Sequence, residues 1–284
     1  MGQDQHIVPQ IYLNHFVDNN SPFPTKPLNI FDIQGINYFK KAPINFLALN
    51  HFYSFTIDSH KKDNSLEKYL SHIETKFAGA IRRLITNINA SKNKSNLYIG
   101  NEDKEIFANF LIWQIKRTIL FRDTIEKGLN EEFNKNGIGI PLLPSGEISP
   151  ELKNFSLFVL SELGEKQKIN FLDIMMKKNL IVTIIPENLG TGFITSDNPV
   201  LIANPNGNGG IALENTQISI PLTPKIALSF FKTGNSIIKI NQTRKDEIRK
   251  SNIFLAKNAH KYIISPSEDQ LKRICKSIYH PAIA

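Results

Sequence analysis

Polar and apolar positions change their period twice along this chain. Over residues 28–57 the pattern is extended: LNIFDIQ alternates like a short strand, and APINFLALNHFYSFTID continues in the same aromatic-rich manner. Ahead of it, Pro9 opens the stretch PQIYLNHF and predicts a short helix carrying Ile11, Tyr12, Leu13 and Phe16, because a proline nitrogen loses nothing in a first helical turn. His6 then stands just outside that helix, and SPFPTKP reads as a loop.

From Ser65 the period becomes helical. Leu66, Tyr69, Leu70, Ile73, Phe77, Ala80, Ile81 and Leu84 recur at steps of three and four, which predicts one amphipathic helix with Ser65 as N-cap and an end near Asn87. A second long helix is expected from Asn101 to about Asn134, with Glu102 and Asp103 at the positive end of its dipole. Its middle, IFANFLIWQIKRTILF, is apolar nearly all round, as an interior helix should be.

Residues 141–150 read as a connector and 151–178 as one or two further helices. The pattern then turns to strands: LIVTIIP, TGFITS, PVLIANP, TQISIPL and KIALSFF, parted by turn-rich segments such as ENLG, SDN and NGNGG. A helix over roughly 242–257, a strand KYIIS and a helix from Ser267 follow. Runs of helices followed by runs of strands predict an α+β fold: several long helices packed with a mainly antiparallel sheet formed largely by the C-terminal half. The 284 residues suit a single large domain, or two closely packed parts over 1–140 and 151–284.

Composition adds limits. Hydrophobic residues make up 41% of the chain, enough for a substantial core. Cys275 is the only cysteine, so no intramolecular disulfide and no cysteine-built zinc cage can form. No apolar run reaches the length of a membrane span and no leader-like segment opens the chain, which together with the lone cysteine favours a cytoplasmic protein. The net charge of +8 invites an anionic partner, nucleic acid or nucleotide. Nine basic residues and four acids over 242–280 supply +5 of it. Their signs are interleaved, which favours a solvated helix surface over a binding stripe.

Candidate chemistry follows from polar residues on apolar elements. Gln114, Lys116, Arg117 and Thr118 interrupt the second long helix, and a buried guanidinium needs a carboxylate, carbonyls or a bound anion. Glu74 lies at the edge of the first helix's apolar stripe, from which it could reach a neighbouring helix. Asp197 and Asn198 sit in GFITSDNPVLI, either as an Asx turn or as a carboxylate and amide presented at a strand end. His6 could serve as general base, metal ligand or capping residue, and with Glu74 and Asp197 it could hold a divalent ion if the fold gathers them. No local signature of a common enzyme class occurs: no GxSxG, Walker loop, CxxC or HExxH.

The order QHIVPQIYLNHF, Ile73–Glu74 within a helix, WQIKRT, FITSDNPV and IPLTP resembles the bacterial family catalogued as domain of unknown function 4238, over nearly the whole chain. Its opening motif often reads His-His-x-x-Pro-x-x-Tyr-Leu-x-x-Phe. His6, Pro9, Tyr12, Leu13 and Phe16 carry over, and Gln5 replaces the first histidine. The tryptophan often found upstream of the SDNP segment is absent here. The resemblance implies that His6, Arg117, Asp197 and Asn198 belong to the family's pattern, and it supplies no reaction.

Two functions are therefore expected in competition. One is a hydrolase of phosphodiesters or nucleotides, a nuclease-like effector of the anti-phage type. In it His6 is the acid or base, Asp197 and Glu74 orient it or hold a metal ion, and Gln114, Arg117, Thr118 and Asn198 bind substrate. The other is a non-catalytic binding or sensor protein, in which the same residues form a buried network and a basic surface meets the partner. Solvent access to His6, Arg117 and Asp197 discriminates the two.

Overall fold

The computed structural model describes residues 4–57, 61–91, 97–137, 153–154, 157–158, 171–205, 207 and 210–279. The fold is α+β. Its first part comprises β1 (Asp4–His6), α1 (Gln10–Leu13) continued by a 3-10 turn, β2 (Leu28–Asp32), β3 (Asn37–Lys41), β4 (Ala48–Asn50), β5 (Phe55–Thr56) and β6 (Lys62–Asp63). Then come the helices α2 (Ser65–Ala90), α3 (Asn101–Lys116) and α4 (Ile119–Lys135). The remainder is β7 (Lys178–Ile184), β8 (Thr195–Ser196), β9 (Leu201–Ala203), β10 (Gln217–Thr223), β11 (Ile226–Thr233), β12 (Ile237–Asn241), α5 (Lys245–Asn258), β13 (Tyr262–Ser265) and α6 (Glu268–Tyr279).

Two sheets carry the architecture. A five-stranded sheet in the order β12-β7-β11-β10-β9 comes wholly from the C-terminal half and is antiparallel except for the parallel β12–β7 pair. The sequence pattern does not predict strand β12 (IIKIN), because its alternate residues stay half open at a sheet edge. A four-stranded antiparallel sheet, β3-β2-β13-β8, interleaves strands from both ends of the chain. One apolar cluster extends in sequence from Val8 to Ile264 and joins α2 and α3 to the inner face of the larger sheet through Leu180, Val182, Ile218, Leu228 and Phe230. A second cluster, including Phe31, Ile263, Leu255 and Leu271, seats α5 and α6 on the smaller sheet.

Helix α2 buries the expected stripe, Leu66 to Leu84, and runs one turn farther than expected, to Ala90. Asn64 rather than Ser65 holds the N-cap position. The expected single helix over 101–134 is instead two. Arg117 ends α3, and Thr118 takes extended geometry (φ −74°, ψ 152°) to start α4. The break is built from the polar residues that interrupt the apolar run. The Thr118 hydroxyl donates to the Ile115 carbonyl and accepts from the Phe121 N–H, while the Tyr53 hydroxyl donates to the Arg117 carbonyl at 2.8 Å. Orphaned backbone groups at both helix ends are thereby paired, which periodicity alone does not reveal. The connector at 141–150 and most of the helical segment expected over 151–178 lie outside the described residues; residues 171–176 are helical.

Thr118→Ala should therefore lower stability by about 1 kcal/mol, the usual worth of an N-cap hydroxyl, and Thr118→Ser should restore it. Chemical denaturation of the two variants beside wild type measures both.

Candidate functional site

One buried polar cluster surrounds Arg117, which is 4% exposed. Its Nη1 meets Glu74 Oε1 at 2.7 Å, its Nη2 donates to the His6 carbonyl, and its Nε donates to the Tyr53 hydroxyl at 3.4 Å. Burial works against the Arg117 charge, but Tyr53 and Glu74 outweigh it and raise the guanidinium's affinity for its proton. Glu74 thus reaches the neighbouring helix, as its place on the α2 stripe suggests. Gln114 donates to the Ile7 carbonyl at 3.2 Å. The same α1–β1 entry is held by Gln5, whose amide donates to Ser54 Oγ at 3.0 Å and accepts from the Tyr53 N–H.

This cluster is closed. The cavity beside it, bounded by Tyr53, Leu66, Leu70, Trp113, Lys116 and Arg117, has a volume of about 10 Å³, room for little more than one water. His6 offers its backbone, not its ring, to Arg117, and its Nε2 is buried without a hydrogen-bond partner among the described residues. Glu67, seven residues before Glu74 on α2, also has a buried oxygen without a partner among them. Burial pushes its carboxyl above the usual range, against the pull of Arg117. Thr118 is an N-cap and offers no free hydroxyl to a substrate.

Asp197 belongs to a different cluster. Its carboxylate, 5% exposed, accepts from the backbone N–H groups of His260, Lys261 and Tyr262 at 3.0, 2.7 and 3.1 Å. Burial raises its pKa and these three donors pull it part of the way back. The Asn198 amide donates to the Asn258 carbonyl in the last turn of α5 at 3.0 Å, and its N–H donates to Ser196 Oγ. No hydrogen bond or ion pair joins Asp197 to His6, Glu74 or Arg117 among the described residues. Nor do three His, Cys, Asp or Glu side chains come together there as a metal site would require. Cys275 is buried, with its thiol pushed up to about 12, and is no nucleophile.

An open cleft lies elsewhere, between α5, α6 and the Gly190–Thr191 turn. Its volume is about 660 Å³, and Lys245, Arg249, Arg273 and Lys276 are in its lining, which has no acidic residue. The interleaved charges of this region are sorted by the fold. Asp246 and Glu247 pair with Arg244 and Lys250, and Glu268 pairs with Lys272 and Lys40. The four cleft cations are exposed and take part in no ion pair among the described residues. Gly192, next to the cleft's Gly190–Thr191 turn, admits no side chain, since one there would meet the Pro224 carbonyl at 2.6 Å, and its own carbonyl accepts the Asn252 and Gln270 amides.

The sequence profile described as a protein of unknown function (DUF4238) matches residues 4–269. The chain belongs to the DUF4238 family. No curated protein and no solved structure matches it.

In this DUF4238 protein the motifs singled out in the sequence take part in hydrogen bonds that tie distant elements together. The opening motif places Tyr12, fully buried, so that its hydroxyl meets Thr195 Oγ at 2.6 Å and donates to the Pro221 carbonyl at 2.7 Å. Thr195 is two residues before Asp197. Tyr53, Gln5 and Glu67 escape a reading of the sequence because only tertiary packing gives them their surroundings. Helix spacing lets Lys245 and Arg249, four apart, and Arg273 and Lys276, three apart, share faces, but it does not set them apart from paired neighbours such as Lys272, four residues from Lys276.

Arg117→Met should destabilise the fold by about 3–5 kcal/mol, because Glu74 is left partly buried without its cation; thermal melting reads the loss. Glu67 gives a pH signature. A carboxyl whose folded pKa lies above its unfolded value, about 4.3, contributes stability that is full below that value and is lost as pH rises through the folded one. Wild type should therefore gain stability from this group on acidification from neutrality, and Glu67→Gln should flatten that part of the profile. Parallel profiles for the two proteins would refute the assignment.

Proposed function

We propose that this DUF4238 protein binds nucleic acid through the cationic cleft between α5 and α6, and that its buried polar motifs serve as the frame for that cleft. The observation that carries the proposal is the sorting of charge: four cations that take part in no ion pair among the described residues line one cleft whose lining has no acidic residue, while Arg244, Lys250 and Lys272 around them pair with local acids. Phosphate groups are the natural counter-charge. A row of exposed Lys and Arg gains from releasing the ions condensed on a phosphate backbone, and it does so without reading sequence. Thr191 adds a hydroxyl at the same wall, where Asn252, Gln270 and Ser277 are bonded to backbone carbonyls.

Phosphodiester hydrolysis by His6, Glu74 and Asp197 draws less support. Its acid and base candidates sit in separate clusters, and Asp197 already accepts three backbone donors. The buried, bonded state of Arg117 and of Asp197 favours the binding alternative.

The test is fluorescence anisotropy with a labelled oligonucleotide across a salt series. Replacing Lys245, Arg249, Arg273 and Lys276 together by Gln should abolish binding at physiological salt while leaving the melting temperature near wild type, since all four side chains are exposed. Single replacements should make the plot of log affinity against log salt shallower by about 0.7 for each phosphate of a single strand that is no longer neutralised. Wild-type protein that fails to bind oligonucleotides at low salt, or a fourfold variant that binds as well as wild type, would sink the proposal.

A further inference from the structure

A second recess lies on the opposite flank of the same helix. It is a pocket of about 380 Å³ with the outer face of the five-stranded sheet as its floor and α5 as its roof. Its walls combine Phe193, Leu201 and Ile248 with Gln217, Ser219 and Ser229. Gln217 Nε2 donates to Ser229 Oγ at 3.0 Å. The pair retains an amide oxygen, the second amide N–H and a hydroxyl hydrogen with no other partner among the described residues. Phe254, 47% exposed, belongs to the lining of the same pocket.

Helix spacing fixes how the pocket and the cleft relate. At about 100° per residue, Lys245 and Arg249 fall on one side of α5 and Ser251 and Phe254 on the other. Asn252 is common to both linings and, being bonded to Gly192 and Ile194, anchors the helix between them. A ligand touching both must cross the exposed face of a helix about 10–12 Å wide with its side chains.

Resting on the nucleic-acid reading above, we propose that the bound partner is single-stranded, with its phosphates in the cationic cleft, its backbone crossing α5 and one unpaired base in the pocket against Phe254. Three physical arguments agree. A base has a flat face for Phe254 and a hydrogen-bonding edge for Gln217 and Ser229, and 380 Å³ lies within the range of small-ligand sites. A duplex hides that edge in pairing and stacks its bases out of reach. A duplex is also stiff over about 150 base pairs and cannot fold round one helix, whereas a single strand can.

The experiment compares a fluorescein-labelled single-stranded oligonucleotide with its duplex, using wild type, Phe254→Ala, Phe254→Trp and the double variant Arg249→Gln/Arg273→Gln. Wild type should bind the single strand at least about ten-fold more tightly. Phe254→Ala should lose about ten-fold on the single strand, in line with one base–aromatic stack, and change little on the duplex. Phe254→Trp should keep the preference. Its indole emission should change on adding the single strand only. The double variant should lose affinity for both forms. Equal affinity for duplex and single strand, or a Phe254→Ala variant that binds the single strand like wild type, overturns the inference. The nucleic-acid reading survives that result if the double variant still loses binding, and falls if wild type binds neither form.

Discussion

The structure depends on one buried cation. Arg117 closes the C-terminus of α3 in an apolar interior, where an unpartnered guanidinium would cost several kcal/mol. Its partners come from three separate places in the chain: the α2 carboxylate of Glu74, the carbonyl of His6 at the end of β1, and the hydroxyl of Tyr53. Satisfying one charge thereby fixes how the N-terminal strand, the aromatic-rich loop and two long helices meet. Tyr53 acts twice, accepting from the Arg117 side chain and donating to its main chain, so the same residue that stabilises the charge also ends the helix. The break between α3 and α4 and the ion pair are one feature.

Much of this is legible in the sequence as a conflict rather than a contact. Polar residues inside an apolar run announce that Arg117 needs a partner, and the stripe on α2 points to Glu74. The sequence does not show that the conflict ends the helix, because the compensating groups are Tyr53, sixty-four residues away, and a Thr118 hydroxyl whose capping role depends on a backbone angle. Asp197 and Asn198 illustrate the converse. The Asx-turn alternative foresees backbone bonding but not its reach, since Asp197 bonds across sixty-three to sixty-five residues to the loop after α5. Charge is the least legible property. Interleaving along the chain suggests a neutralised surface, whereas pairing in three dimensions depends on which helix flank each residue occupies.

That pairing explains why a cleft with four cations can exist in a fold of modest charge density. Acids at 246, 247 and 268 lie where they meet Arg244, Lys250, Lys272 and Lys40. Lys245, Arg249, Arg273 and Lys276 fall on the flanks that α5 and α6 turn towards each other. Repulsion among them is tolerated because the side chains are solvated and the helices are held from behind by Leu255, Ala256, Leu271 and Ile274.

Hydrogen bonds made by the opening stretch and the SDNP segment connect these two regions. Arg117 holds the carbonyl of His6; three residues on, Pro9 starts the helix that buries Tyr12. Tyr12 bonds Thr195 and the sheet at Pro221, and Asp197, two residues beyond Thr195, gathers the backbone from His260 to Tyr262. Asn198 takes the last turn of α5 through the Asn258 carbonyl. The chain of bonds therefore runs from the buried cation in the helical layer to the C-terminal end of the helix that presents Lys245, Arg249 and Phe254. Residues with the look of catalytic groups, an arginine, an aspartate and an asparagine on apolar elements, are better accounted for as positioning groups. Asp197 and Asn198 commit their side chains to backbone groups, and Arg117 divides its guanidinium between one carbonyl and the side chains of Glu74 and Tyr53.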